Sequence, residues 1–329
     1  MKAVLIKDST HDLYVSDVED PSCYENDLLI KVIATSINRA DLLQRKGQHP
    51  PPKGTSNILG LEMSGVIEKK GAGVTDWCVG DHVYALLPGG GYAEKVVIPS
   101  DMAMRIPAGL SFEKAAAIPE AFLTAYLNLI QLAQIKEEEY VLIHAGGSGV
   151  GTAAIQMAKD IGAKIIATTG SSIKGNHCLS LGADYVINYK DGDFSTKVLD
   201  ITKGKGVNII MDFIGASFWE YNLRSISMDG RWILVGSLGG RDVSKVNLGS
   251  FLQKRINFFG STLRSRSLRY KIDLVHRFEK FTDGKFNNGS IVPVIDSVYN
   301  LEEVEEAHKR MEQNLNMGKI VLRVSSSRG

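Results

Sequence analysis

Cysteine, net charge and long apolar runs are all scarce in this chain of 329 residues, and each shortage excludes something. The cysteines number three, Cys23, Cys78 and Cys178. They are odd in number and far apart, so they form neither a disulfide framework nor a pair of metal ligands, which favours a reducing compartment. The formal net charge is +1. Such a balance leaves no electrostatic footprint for nucleic acid or for an acidic membrane surface. No apolar run reaches the length needed to span a bilayer. A strand pattern over Lys2–Ile6 begins at once and is expected to leave no room for a leader peptide. The expectation is a cytoplasmic protein with no nucleic-acid or membrane partner. Repeats and low-complexity linkers are missing too, and Ser325–Gly329 reads as a frayed end.

What is present is the composition of a globular protein, 44% hydrophobic and 23% charged, with length for roughly two domains. Residues 1–110 read as strand-rich. AVLI, LLIKVIA, GVIEKKGAG and HVYALL are short apolar or alternating stretches between glycine, proline and asparagine turns. Helical spacing starts at Phe112–Ala117 and resumes after Pro119 over Ala121–Ile130. From residue 140 strands and helices alternate, with candidate strands at Tyr140–His144, Lys164–Thr168, Tyr185–Ile187, Val207–Asp212, Arg231–Val235 and Asn257–Gly260. That alternation implies right-handed crossovers and an α/β fold with a doubly wound parallel sheet of Rossmann type. The tail mixes helix and strand and is expected to fold back onto the first domain.

The most informative stretch is YVLIHAGGSGVG at 140–151, a strand running into a glycine-rich turn, followed by a helical segment. Here the backbone can approach a dinucleotide pyrophosphate, and the free N–H groups of the helix start point at it. The turn aligns as Gly146-x-Ser148-x-x-Gly151, with serine in place of the middle glycine and Gly147 and Gly149 beside it. Val150 completes the candidate phosphate-binding run. Thr152 stands where a phosphate-loop lysine would be required, which argues against a nucleotide triphosphate site. Sites that hold a ribose 2′-hydroxyl place an acidic residue about 20 positions beyond the turn. No Asp or Glu occurs between Ile161 and Ala183. The second strand ends instead in TTGSSIK, so Ser171 and Lys174 offer a hydroxyl and an ammonium to a 2′-phosphate, with Gly170 beside them in the same loop, which favours NADPH. The plainer alternative is that the serines cap the next helix and Lys174 is a surface lysine. Tyr189 lies near the same edge. Ile214, Gly236 and Ser237 follow the fourth and fifth strands, at the carboxyl ends where such sheets bind ligands.

Several segments taken together point to a family. SINRAD at 36–41, NILGLE at 57–62, GDHV at 80–83, LLPGGG at 86–91, AAAIPEA at 115–121 and the EAHK-ME stretch at 306–312 resemble the medium-chain dehydrogenase/reductase superfamily. Within it the chain resembles the zinc-independent quinone oxidoreductases, and among these the tumour-suppressor-inducible branch. The resemblance implies a GroES-like β-barrel catalytic domain split across residues 1–120 and a return segment 266–329, around a Rossmann NADP-binding domain at 121–265. It also implies NADPH-dependent reduction of a small-molecule quinone and a homodimer, with an exposed edge strand near Asn257–Gly260 available for pairing. Where zinc alcohol dehydrogenases carry a cysteine and a histidine ligand, this chain has Asn38 and Leu61. Its seven histidines show no ligand spacing, so no bound metal is expected.

A quinone already accepts hydride well, so the protein's task is to position the reactants and to stabilise the developing phenolate. Asn38 and Asp41 are the candidates for catalysis, Asn38 also for touching the nicotinamide, and His49 for the substrate. The alternative is that Asn38 caps a helix with Asp41 in its first turn. By the family reading, Thr124 and the Leu263-Arg264-Ser265-Arg266 loop contact the coenzyme, Leu263, Arg264 and Arg266 being its candidates. Reduction of α,β-unsaturated carbonyls is the rival activity, and a non-enzymatic NADPH-binding protein the rival class.

Overall fold

The computed structural model describes residues 1–325; residues 326–329, the end of the tail read as frayed, lie outside the described residues. The chain divides into two compact units. One takes Met1–Leu123, Arg264–Gly289 and the chain from Pro293 onward, and the other takes Thr124–Leu263 with Ser290–Val292.

The first unit opens with an antiparallel ribbon, β1 (Lys2–Ile6) and β2 (Leu13–Asp17). Five strands follow: β3 (Asp27–Ser36), β4 (Glu62–Lys70), β5 (His82–Leu86), β6 (Lys95–Pro99) and the short β7 (Met104–Arg105). Strand β3 is central and pairs antiparallel with both β4 and β6. It is buried along most of its length, which is why LLIKVIA reads as an almost unbroken apolar run. Leu28, Ile30, Val32, Met63, Ile67 and Val83 share one core. Beyond β4 the chain passes against the 24–25 turn, and a Cβ at Gly71 would lie 2.1 Å from the Tyr24 carbonyl oxygen. Only glycine fits there.

The second unit holds β8 (Tyr140–Ile143), β9 (Lys164–Thr169), β10 (Tyr185–Asn188), β11 (Val207–Asp212), β12 (Ile226–Leu234) and β13 (Asn257–Gly260). They form one parallel sheet in the order β10-β9-β8-β11-β12-β13. The order reverses between β8 and β11, the switch point of a doubly wound fold. Val141–Ile143, Ile165–Ala167 and Ile209–Met211 are fully buried, as strands covered on both faces require. One strand departs from the sequence pattern: β12 begins at Ile226 rather than at Arg231. Asp229 sits at φ 57° ahead of Gly230, so a polar kink breaks the pattern inside the strand. The helical pattern after Pro119 also resolves differently, as a helix over Pro119–Ala125 followed by a π-helical stretch over Tyr126–Leu132.

The chain returns to the first unit with a helix over Leu268–Thr282, then β14 (Ile295–Asn300), a helix over Val304–Glu312 and β15 (Lys319–Arg323). Strand β15 pairs antiparallel with β3, Val321 opposite Ser36. This register brings Lys319, at the start of β15, to Ile37 and Asn38 at the end of β3. No helix among the described residues is long and apolar enough to cross a membrane.

Candidate functional site

In the second unit the predicted coenzyme residues follow the carboxyl ends of the strands, except Thr124, which lies on the helix Pro119–Ala125. The helix after the glycine turn spans Gly149–Ile161, and Ser148 is its N-cap, accepting the Gly151 N–H at 3.0 Å. The serine that replaces the middle glycine thus ties one first-turn donor and leaves those of Gly149 and Val150 without intrahelical partners. A Cβ at Gly151 would lie 2.4 Å from the Ala145 carbonyl oxygen, and one at Gly146 would lie 2.9 Å from Ala167 Cβ. Both positions admit only glycine. Gly147 lies against the aliphatic stem of Lys174, with Cδ 3.3 Å from an added Cβ.

Ser171 caps the helix Ser172–Leu181, its hydroxyl accepting from the Lys174 N–H at 3.4 Å. The capping alternative therefore holds for Ser171. Lys174 is half-buried rather than freely solvated. Tyr189 packs over Gly170, where a Cβ would come within 2.6 Å of its hydroxyl. Gly170, Lys174 and Tyr189, with Lys190 Cε 3.4 Å from a Cβ at Gly170, therefore surround the end of β9, and the first turn of the helix that follows carries no acidic residue. The loops after β11 and β12 are hydrogen-bonded to each other, Gly239 N–H to Ile214 O at 2.7 Å and Leu238 N–H to Phe213 O at 3.1 Å. This brings Ile214 together with Gly236 and Ser237. Thr124 is buried and its carbonyl accepts from Asn128 Nδ2 at 2.7 Å. Leu263 is buried in the same unit.

Arg264 and Arg266 fall in the first unit instead. Arg264 is buried, donating to Pro88 O at 2.9 Å, His49 O at 3.2 Å and Gln44 Oε1 at 2.6 Å. It clamps two loops and is no solvated basic side chain. Arg266 lies over the Tyr270 ring, 4.6 Å from its centre.

The first unit also holds a buried ion-pair cluster. Glu62, fully buried on β4, takes Lys319 Nζ at 2.7 Å and Asn38 Nδ2 at 2.7 Å on one oxygen, together with the Ser36 hydroxyl. Its other oxygen takes the Glu120 N–H at 2.8 Å. Lys319 donates further to Asn38 Oδ1 at 2.6 Å and to Ile37 O at 3.2 Å. Asn38 is the N-cap of the helix Arg39–Arg45. Its amide is held on both sides, and its second Nδ2 contact, to Ser36 O at 3.4 Å, is weak. Asp41 is fully buried and accepts from Asn38 N–H at 2.7 Å, Gly60 N–H at 3.1 Å and the Tyr92 hydroxyl at 3.2 Å. Burial pushes its carboxyl up to about 6. Burial and then the charge of Glu62 push half-buried Glu120 up to about 8. His49 is half-buried, and burial and then Arg264 lower its pKa.

A metal does not fit this cluster. Where zinc ligands would stand, the Asn38 amide is bonded to Lys319 and Glu62, and Leu61 is 1% exposed in the core. An ammonium already neutralises Glu62. Among the described residues, no three His, Cys, Asp or Glu side chains converge as a metal site. The second unit's glycine turn suits a dinucleotide: Gly146 and Gly151 pack the turn tightly against β9 and the helix start, and the Gly149 and Val150 N–H groups there have no intrahelical partner.

Sequence reasoning missed Glu62, Lys319 and Glu120. Lys319 is 257 residues from Glu62, and only the β15–β3 register joins them.

Comparison with known proteins agrees with this architecture. The alcohol dehydrogenase GroES-like domain matches residues 24–108, and the zinc-binding dehydrogenase family matches residues 149–279. The chain belongs to the medium-chain dehydrogenase/reductase superfamily, with a GroES-like domain and a parallel sheet of Rossmann type. Its relatives there include quinone oxidoreductase 1 of Escherichia coli, 36% identical over 310 residues that cover 92% of each chain. The solved structure of Escherichia coli quinone oxidoreductase complexed with NADPH superposes with a TM-score of 0.86 at 31% identity, covering 98% of this chain and 99% of that one. An NAD-dependent alcohol dehydrogenase superposes as well, with a TM-score of 0.87 at 30% identity over 99% of this chain and 100% of that one. The overall fold is therefore shared by both coenzyme types, and the residues at the end of β9 have to decide between them.

Proposed function

We propose that the protein is an NADPH-dependent reductase of quinones that works without zinc. The observation that supports the coenzyme choice is the end of β9, where Gly170, Ser171, Lys174 and Tyr189 stand and the first turn of the next helix has no acidic residue. Lys174 would pair with the 2′-phosphate. The N–H groups of Gly149 and Val150 would receive the pyrophosphate. Thr124, Ile214, Gly236, Ser237 and Leu263 would border the nicotinamide half, with Arg266 as a further contact.

When bound, the reduced nicotinamide supplies a hydride. The residues of this chain then have to orient the acceptor and supply a proton. Asn38 can exchange its weak bond to Ser36 for one to the acceptor oxygen, while Lys319 and Glu62 keep its plane fixed. Asp41, pushed up to about 6, holds a proton in part of the population near neutral pH, and the Tyr92 hydroxyl connects it to His308 Nε2 at 3.2 Å. Arg264 acts here by holding the His49 loop rather than by contacting the coenzyme. A quinone needs little activation, so a hydrogen bond from Asn38 to the acceptor oxygen suits it.

Strand β13 is the edge of the parallel sheet, with Phe258 on it 39% exposed, and that edge would pair with a second copy, which supports a homodimer. Dispersed free cysteines support a reducing, cytoplasmic setting.

Stopped-flow oxidation of NADPH by 1,2-naphthoquinone and by 2-alkenals tests the function. Faster turnover of the quinone is expected. Faster turnover of the alkenals overturns the quinone assignment in favour of enone reduction, and tight NADPH binding with no turnover favours a non-enzymatic role.

A further inference from the structure

One buried carboxylate outside the cluster above has no role in that mechanism. Asp212, at the carboxyl end of β11, is fully buried. Its Oδ1 accepts the N–H groups of Ile214 at 2.7 Å and Gly215 at 3.0 Å, and its Oδ2 accepts from Asn222 Nδ2 at 3.0 Å and Trp232 Nε1 at 3.1 Å. A carboxylate only accepts, so the direction of every bond beyond it is fixed. Asn222 must present its oxygen to His144 Nε2, 2.7 Å away. His144 therefore carries its proton on Nε2, and Nδ1 accepts from the Thr168 hydroxyl at 2.9 Å. Burial lowers the pKa of the ring, in favour of its neutral form. His144 follows β8 and Thr168 lies in β9. Gly146 N–H in turn donates to Thr168 O at 3.0 Å.

We propose that Asp212 is the positioning residue of the coenzyme rim: it anchors the 214–215 turn directly and, through Asn222 and His144, fixes the ends of β8 and β9 that carry the glycine turn and the 2′-phosphate loop. The chain Asp212–Asn222–His144–Thr168 crosses three adjacent strands at the switch point. The four side chains are fully buried, so water cannot substitute for a lost partner cheaply. The coenzyme part of this proposal rests on the function proposed above; the proton direction does not.

Asp212→Asn tests it. The new amide must give its oxygen to the 214–215 turn, so its NH2 faces Asn222. Asn222 then turns over, and His144 must switch to the Nδ1–H tautomer. Long-range proton–nitrogen correlation spectra of histidine-labelled protein read this directly, with His144 assigned by difference from His144→Gln. The wild type should show the Nε2–H pattern without coenzyme, and Asp212→Asn the Nδ1–H pattern. Calorimetry should find NADPH weakened roughly tenfold in Asp212→Asn, because Trp232 Nε1 is left facing a donor. If that variant does not fold, Asn222→Leu carries the test: the turn stays anchored, and His144 should populate both tautomers. An Nδ1–H pattern in the wild type, or a variant whose tautomer and NADPH affinity are both unchanged, overturns the proposal. A wild type that shows the Nε2–H pattern but binds no NADPH sinks only the coenzyme reading.

Discussion

Replacing Lys319 with methionine isolates the central interaction of the first unit. The ammonium is 2.7 Å from Glu62, and the two side chains are 5% and 0% exposed. Breaking a buried pair by removing one partner costs about 3–5 kcal/mol, because a charge is left uncompensated. Glu62 would keep the Ser36 hydroxyl, Asn38 Nδ2 and Glu120 N–H as donors, so the lower part of that range is expected. A loss of about 3 kcal/mol lowers the midpoint of the first unit's transition by on the order of 10 °C. The charge of Lys319 also holds down the carboxyls of Asp41 and Glu120, so both should move higher in the variant. Glu62→Gln with Lys319→Met removes both charges and should recover much of the loss, since a buried pair is often replaceable by neutral groups. Urea denaturation, followed on each transition separately because a chain of two units need not unfold in one step, measures the cycle. A single variant within 1 kcal/mol of the wild type, or a double variant less stable than both singles, would refute the reasoning.

Lys174→Ala should weaken NADPH by tenfold or more while leaving NADH nearly unchanged, since a charge-assisted bond contributes about 1.5–3 kcal/mol; equal losses for both coenzymes would remove Lys174 from the 2′-phosphate site. Asp41 binds its proton more tightly folded than unfolded, 3.8 rising to about 6. Its ionisation therefore erodes stability as pH rises through that window. The stability of the wild type relative to Asp41→Asn should fall between pH 4 and pH 6, and a gap that widens with pH contradicts the assignment. Gly151→Ala places a Cβ 2.4 Å from a backbone oxygen, so calorimetry should find coenzyme binding lost while the first unit's melting transition stays put.

The second unit was the more legible half of the chain. Its glycine turn, its strand and helix alternation and its lack of an acidic residue after β9 are local signals, readable within about thirty residues of one another. The first unit hid its chemistry. Asn38 and Asp41 stand out as polar residues after an apolar strand, but Asn38 is held by Glu62 on β4 and Lys319 on β15, and Asp41 by Gly60 and Tyr92, and no local pattern announces pairings across those separations. The acceptors that bury Arg264, on Pro88, His49 and Gln44, lie far away in sequence, so nothing local to the 263–266 loop announces them. The early half of β12 was missed for the opposite reason, since the Asp229-Gly230 pair reads as a turn while the sheet carries it through as a kink.

The claim on which the account rests is that the end of β9 accepts the phosphate of the reduced coenzyme. Calorimetric titration of the wild-type protein with NADPH and with NADH in the same buffer tests it most directly. The account predicts that NADPH binds at least tenfold more tightly, and equal or tighter binding of NADH would contradict it.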